Sequence, residues 1–183
     1  MDGGATLLQI RAKQAPSRAF LADADLVVSR ASQAGALVII NDRADVARLC
    51  GAAGIHVGQD DLSPADARTV VGAGALVGLS THTPAQLADA LQQPVDYVAI
   101  GPVFATPTKN TGYDAVGLDL VRHAVEFARP RQLPVVAIGG ITLDRAHEVL
   151  AAGASSVAVI ADLFATNDPA KRVRAYLERL SRV

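Results

Sequence analysis

The sequence has one cysteine, no tryptophan and, over 183 residues, only three lysines. A single thiol can form neither an internal disulfide nor a cysteine-rich metal site. Cys50 falls among apolar residues on a predicted helix, where a thiol reads as a small core residue rather than a nucleophile. An excess of charge of one sign is missing too. Seventeen basic and 18 acidic residues leave a net charge of −1, which gives no electrostatic grip on nucleic acid or an anionic membrane. No apolar run approaches the ~20 residues of a membrane span. Residues 1–13 lack a basic segment followed by an apolar stretch and a cleavage site, so no signal peptide is expected. The expectation is a soluble, cytoplasmic protein. No linker, low-complexity tract or charge block interrupts the chain, which predicts a single domain over 1–183. Half of the residues are hydrophobic, ample for a core.

What is present is a regular alternation. Short apolar runs rich in Val, Ile and Leu predict strands near 7–11, 36–40, 55–58, 75–79, 96–101, 134–138 and 156–160, each buried on both faces. Helical patterns follow at 16–33, 43–50, 63–72, 84–92, 117–128, 142–152 and 168–181. Ser63-Pro64, Thr83-Pro84, Thr142 and Asp168-Pro169 carry helix-start signals. Seven strand–helix units suggest either a (β/α) barrel or a doubly wound sheet. A doubly wound sheet concentrates its site at one switch point. Here polar residues follow almost every strand, as at the active rim of a barrel. The expected fold is therefore an α/β TIM-type (β/α) barrel with seven of the eight strand–helix units.

The stretch 39–61 organises the rest. The run Val38-Ile39-Ile40 stops at Asn41-Asp42, a short helix crosses over, and Ile55-His56-Val57 ends at Gly58-Gln59-Asp60-Asp61. Parallel strands point their ends the same way, so the acids at 42 and 60–61 emerge at one rim. Carboxylates from neighbouring strand ends suit a hard cation such as Mg²⁺, which takes a few carboxylates plus substrate phosphates. In LLQIRAK (7–13), alternation puts Gln9, Arg11 and Lys13 on one side of an extended segment, where three donors could hold a phosphate. The loop GPVFATPTKN (101–110) offers Thr106, Thr108 and Lys109 for an anion. Gly139-Gly140, between a strand and a helix N-terminus, would let backbone N–H groups approach a phosphate. His56 lies inside a strand, His123 and His147 on helices, and His82 at the rim. No pair shows zinc-ligand spacing, and no Ser-His-acid order stands out.

Together QIRAK (9–13), NDRADVA (41–47), GIHVGQDD (54–61), GLSTHT (78–83), GPVFATPTK (101–109) and AIGGI (137–141) resemble the thiamine phosphate synthase (thiamine-phosphate pyrophosphorylase) family, in order and over almost the whole chain. The resemblance implies a (β/α)₈ barrel that joins an aminopyrimidine pyrophosphate to a thiazole phosphate, giving thiamine phosphate and pyrophosphate. It implies that Gln9, Arg11, Lys13, Asn41 and Lys109 hold the pyrimidine pyrophosphate, and that Asp42 and Asp61 bind Mg²⁺. Ser80 would sit near the pyrimidine. Thr106, Thr108, Gly140 and the backbone around Ile160-Ala161 would bind the thiazole and its phosphate. Arg11, Ser80 and Lys109 would be the catalytic groups of a dissociative displacement. Such a step needs charge on the leaving group and two aligned substrates rather than a strong base. The partners implied are those two small molecules. Neither nucleic acid nor membrane is expected, and self-association is left open.

Three departures accompany the resemblance. Ala12 replaces an acid common in the family, and Ala161 stands where a Ser is usual, so backbone contacts would survive there but a hydroxyl contact would not. Met1–Gly4 correspond to the end of the family's first helix. That implies either a start assigned too late in a longer chain or an unusual seven-unit form with two unpaired parallel edges. Three rival readings compete. A thiazole tautomerase of the same fold tends to carry His where Pro102 stands and lacks the paired acids. A Schiff-base aldolase or isomerase would want Lys109 desolvated within a strand. A non-catalytic phosphate-ligand binder or sensor would hold thiazole phosphate without releasing pyrophosphate.

Overall fold

The computed structural model describes residues 1–106 and 112–181. Its strands are β1 (Leu7–Ile10), β2 (Leu37–Asn41), β3 (Gly54–Val57), β4 (Leu76–Thr81), β5 (Tyr97–Ile100), β6 (Val135–Ile138) and β7 (Ser156–Ala158). Helices α1 (Ser17–Gln33), α2 (Ala44–Leu49), α3 (Pro64–Val71), α4 (Pro84–Ala90), α5 (Gly117–Ala128), α6 (Leu143–Ala151) and α7 (Pro169–Leu180) alternate with them. Short 3₁₀ turns at Arg129–Arg131 and Ala161–Phe164 complete the set. Strand order follows the chain from β1 to β7. Each predicted strand and helix is therefore present, within a residue or two at most ends. None of the described helices is long and apolar enough to cross a membrane.

The chain divides into two compact units. The first comprises residues 5–79 and 93–96 with Met1. In it β1 pairs in parallel with β2 from Leu7 opposite Leu37 to Ile10 opposite Ile40. Strand β2 pairs with β3 up to Asn41 opposite His56, and β3 with β4 from Gly54 opposite Leu76. Consecutive residues Val38, Ile39 and Ile40 are all buried, as are Ile55, His56 and Val57. Two-sided burial explains why these strands show runs rather than alternation. The start of β4 is pinned from outside the ladder. Asp96 Oδ2 accepts from Val77 N at 2.7 Å and from Arg68 Nη2 at 2.5 Å, while Arg68 also donates to the Ala75 carbonyl.

The second unit contains residues 80–92 and 97 onward, with residues 2–4. Buried Thr81 at the end of β4 donates its hydroxyl to Ala99 O at 3.0 Å, and its own carbonyl accepts from Gly101 N at 3.3 Å. Strands β5, β6 and β7 pair in parallel, Val98 opposite Val135 and Val136 opposite Ser156. Helix α5 buries Val121, Ala124 and Ala128 along one stripe, the spacing of a face turned to a core. Thr83 and Asp168 cap α4 and α7 as their sequences predict, each accepting from the N–H three residues on. Thr142 makes no such side-chain cap for α6. Instead the Leu143 N–H donates to Asp162 Oδ2 at 3.1 Å, so an acid from another element satisfies the first turn.

The glycines after β6 have a packing reason that their sequence context did not reveal. A side chain at Gly140 (φ +62°) would meet the carbonyl oxygens of Phe104 and Ala105, both at 2.7 Å. One at Gly139 (φ +97°) would lie 2.5 Å from Pro102 Cα. Phe104 N donates to Gly139 O at 3.0 Å and Val103 N to Ile138 O at 2.8 Å. The loops after β5 and β6 are thus in backbone-to-backbone contact, which only glycine permits.

Gly35→Ala shares the left-handed φ (+67°) but meets nothing within 4 Å, and should cost about 1–2 kcal/mol in urea unfolding. Gly140→Ala adds a backbone collision and should cost roughly a further 1–3 kcal/mol; equal costs would show that the loops move apart freely. A separate prediction concerns Asp162, whose carboxyl is held below the ordinary value. Burial alone would raise it, but hydrogen bonds from Tyr176, Arg172 and the Leu143 N–H outweigh that. A depressed carboxyl contributes stability that is fully present above the unfolded value, 3.8, and is lost as pH falls through the folded one. Asp162→Asn should therefore cost roughly 2–3 kcal/mol at pH 7. The gap to the parent should narrow below pH 3.8, as read by denaturant unfolding across that range.

Candidate active site

In the first unit the ends of β1, β2 and β3 bring a base and two acids together. The chain turns at Asp42 with φ +65°, a left-handed conformation that Asp tolerates better than most residues. Asp42 N donates to His56 O and Arg43 N to Asn41 O, both at 2.8 Å, which fixes the turn. The Asp61 carboxylate is held by its own loop, its Oδ2 accepting from Gly58 N at 2.8 Å. Lys13 Nζ lies 2.7 Å from Asp42 Oδ2 and 3.7 Å from Asp61 Oδ1.

Burial raises the Asp42 carboxyl above its ordinary value; hydrogen bonding to Asp61 and repulsion from it add to the rise, and Lys13 opposes it. The hydrogen bond to Asp42 in turn raises Lys13, keeping its ammonium charged. Two carboxylates crowded together at partly buried positions are stabilised by positive charge placed between them. No group of three or more His, Cys, Asp or Glu among the described residues is arranged to hold a metal. The protein's share is two carboxylates, which fits a cation that completes its shell with water and substrate phosphate oxygens.

Lys13 reaches this position differently from the sequence expectation. Strand β1 ends at Ile10, and residues 12–15 form a turn closed by Ala15 N donating to Ala12 O at 3.1 Å. Strand alternation therefore ends before Lys13, and the turn delivers it to Asp42, still close enough to Arg11 for the two positive charges to repel. Gln9 and Arg11 are exposed along β1 and just after it, and Asp60 is exposed beside Asp61. Asn41, the last residue of β2, is 8% exposed, and its Nδ2 has no hydrogen-bond partner among the described residues. A buried amide donor without a partner costs free energy unless a ligand oxygen takes it.

In the second unit Ser80 is half-buried in β4, and Thr106 is half-buried at the end of the described part of its loop. Thr108 and Lys109 lie outside the described residues. Gly140 opens the turn into α6, while Ile160 and Ala161 are exposed where β7 gives way to its 3₁₀ turn. β7 is shorter than expected: it stops at Ala158, and Ile160 leaves extended geometry with ψ −75°. Arg145 of α6 lays its guanidinium 4.7 Å above the Phe104 ring, a cation–π contact that fastens the β5 loop to α6.

Two polar groupings were not read from the sequence. His82 stacks on Tyr113 with ring centroids 4.2 Å apart and its Nδ1 contacts the Gly101 carbonyl. Gln86 ties the pair, accepting from His82 N at 2.8 Å and donating to Tyr113 Oη at 2.9 Å. The other is Asp162 with Arg172 and Tyr176 of α7. The i, i+4 spacing of Arg172 and Tyr176 was visible and places them on one helix face, but nothing in the sequence pointed that face at Asp162.

Comparison with known proteins identifies the family. The sequence model of the family described as thiamine monophosphate synthase matches residues 1–163. A thiamine-phosphate synthase from Koribacter versatilis is 48% identical over 178 residues, covering 97% of this chain and 82% of that protein. One from Gloeobacter violaceus is 45% identical over 179 residues, 98% of this chain; the chain spans about half of that relative's length, 51%. The solved thiamine phosphate pyrophosphorylase of Pyrococcus furiosus superposes with a TM-score of 0.89 at 30% identity, covering 99% of this chain and 85% of that one. The expected architecture, consecutive (β/α) units of a barrel-type α/β fold, is thereby shared. The chain belongs to the thiamine monophosphate synthase family.

Proposed function

We propose that this protein is a transferase that joins 4-amino-2-methyl-5-hydroxymethylpyrimidine pyrophosphate to 4-methyl-5-(2-phosphoethyl)thiazole, releasing pyrophosphate and giving thiamine phosphate. The observation that carries this reading is the grouping of Lys13, Asp42 and Asp61 in turns beside strand ends, next to an Asn41 amide donor that has no partner among the described residues. That set offers charge and hydrogen bonds to a diphosphate and contains no group activated as a nucleophile or strong base.

The chemistry follows from those groups. The bond between the pyrimidine methylene carbon and the pyrophosphate oxygen breaks with its electron pair leaving on oxygen. The thiazole nitrogen then forms the new carbon–nitrogen bond with its lone pair, so no proton has to be removed by the protein. Lys13, Arg11 and Asn41 bind the departing pyrophosphate and spread its charge, which lowers the barrier of a loose transition state. Mg²⁺ bound at Asp42 and Asp61 would supply further stabilisation of that leaving-group charge. Ser80 orients the pyrimidine, Lys109 adds to the pyrophosphate charge, and Thr106, Thr108, Gly140 and the Ile160-Ala161 backbone hold the thiazole phosphate. Holding both substrates in line replaces the acid–base catalysis that the site lacks. Both substrates are multiply charged and do not cross a bilayer unaided, which favours a cytoplasmic reaction.

The test is product formation by the purified protein. Thiamine phosphate and pyrophosphate should appear in equal amounts with Mg²⁺ and stop with excess chelator. Asp42→Asn together with Asp61→Asn should lower kcat/KM by about a hundredfold or more while the melting temperature persists. Binding of thiazole phosphate without pyrophosphate release would make the protein a non-catalytic binder. Turnover indifferent to chelator would remove Mg²⁺ and the two acids from the reaction.

A further inference from the structure

Asp162 gathers four hydrogen-bond donors, none of which the proposed chemistry uses. The Leu143 N–H at the first residue of α6 lies 3.1 Å from Oδ2. From α7, Arg172 Nε and Nη2 donate to Oδ2 at 3.0 and 2.8 Å, and Nη2 also reaches Oδ1 at 2.9 Å. The hydroxyl of buried Tyr176, a residue 5% exposed, donates to Oδ2 at 2.5 Å. Its oxygen is also 3.5 Å from Ile141 O, and its one proton goes to the nearer carboxylate. The ion pair is largely shielded, with side-chain exposures of 23% for Arg172 and 11% for Asp162.

The placement gives this cluster a function. Asp162 directly follows Ile160-Ala161, and Leu143 directly follows the Gly140–Thr142 turn. These are the two backbone segments assigned to the thiazole phosphate. We propose that Asp162, Arg172 and Tyr176 are positioning residues that lock residues 160–162 to residues 140–143, so that backbone N–H groups of both segments address one phosphate. This rests on the thiazole-phosphate reading given above. Arg172 has a second task there. A carboxylate beside an anion site repels the anion unless its charge is cancelled, and a guanidinium fork cancels it in fixed geometry. Tyr176 contributes the lock without changing the charge.

The two tasks separate in a binding experiment. Calorimetry would give Kd for the thiazole phosphate and for the same thiazole bearing a free hydroxyl, on the parent protein and on Tyr176→Phe, Arg172→Met and Arg172→Lys. Tyr176→Phe should weaken the phosphorylated ligand about tenfold, and Arg172→Met more, with Arg172→Lys between them. The hydroxyl ligand should change by no more than about twofold throughout. Equal weakening of both ligands, or a lower melting temperature with affinities unchanged, would reduce the cluster to a structural tie and overturn the inference. A parent protein that binds neither ligand would overturn the function proposed above and this inference with it. A parent that binds the phosphate while all three variants match it would overturn this inference alone.

Discussion

Burial of parallel strands on both faces is the constraint from which the site follows. Val38-Ile39-Ile40 and Ile55-His56-Val57 are buried throughout, with His56 the one ionisable side chain among them, so the carboxylates lie beyond the strand ends. Parallel pairing then gathers those ends on one side. Asp42 and Asp61 come from successive strand–helix pairs and meet because β2 and β3 pair in register, Asn41 opposite His56. The left-handed turn at Asp42 is the local consequence. The chain leaves a buried strand and must present a carboxylate within a single residue.

Two acidic centres in this protein are balanced by single bases, and the choice of base differs. Lys13 serves Asp42 and Asp61; Arg172 serves Asp162. Lysine is a point charge on a flexible stem, 41% exposed here, and can exchange one oxygen partner for another as ligands arrive. Arginine's planar fork fixes an orientation and keeps its charge under all conditions. The distribution matches the proposed division of labour: adaptable charge where a leaving group forms, fixed charge where a phosphate is only held. The three lysines in the sequence make the use of one beside these acids the more telling.

Most of the framework was legible because its signals are local. Apolar runs of four or five residues marked the strands, and Ser63-Pro64, Thr83-Pro84 and Asp168-Pro169 marked helix starts that the caps confirm. That acids at 42 and 60–61 emerge at one rim was legible from the strand–helix–strand order alone, while the choice of Asp61 over Asp60 came from the family resemblance. What escaped depended on relations across the chain. The turn that carries Lys13 begins just after a strand that the sequence pattern had run on to residue 11. The isolation of the Asn41 amide and the partners of Asp162 depend on how distant segments pack. The double glycine was recognisable as special, but that a side chain at Gly140 would meet the Phe104 and Ala105 carbonyls could not be foreseen from residues 139 and 140.

That close backbone packing makes the two loops a single part. Because Gly139 and Gly140 are moulded against Pro102, Phe104 and Ala105, neither stretch can be lengthened or exchanged while the other stays as it is. A chimera that borrows residues 101–106 from a relative has to borrow 138–141 with them. Changes in one loop would then have to come in step with changes in the other.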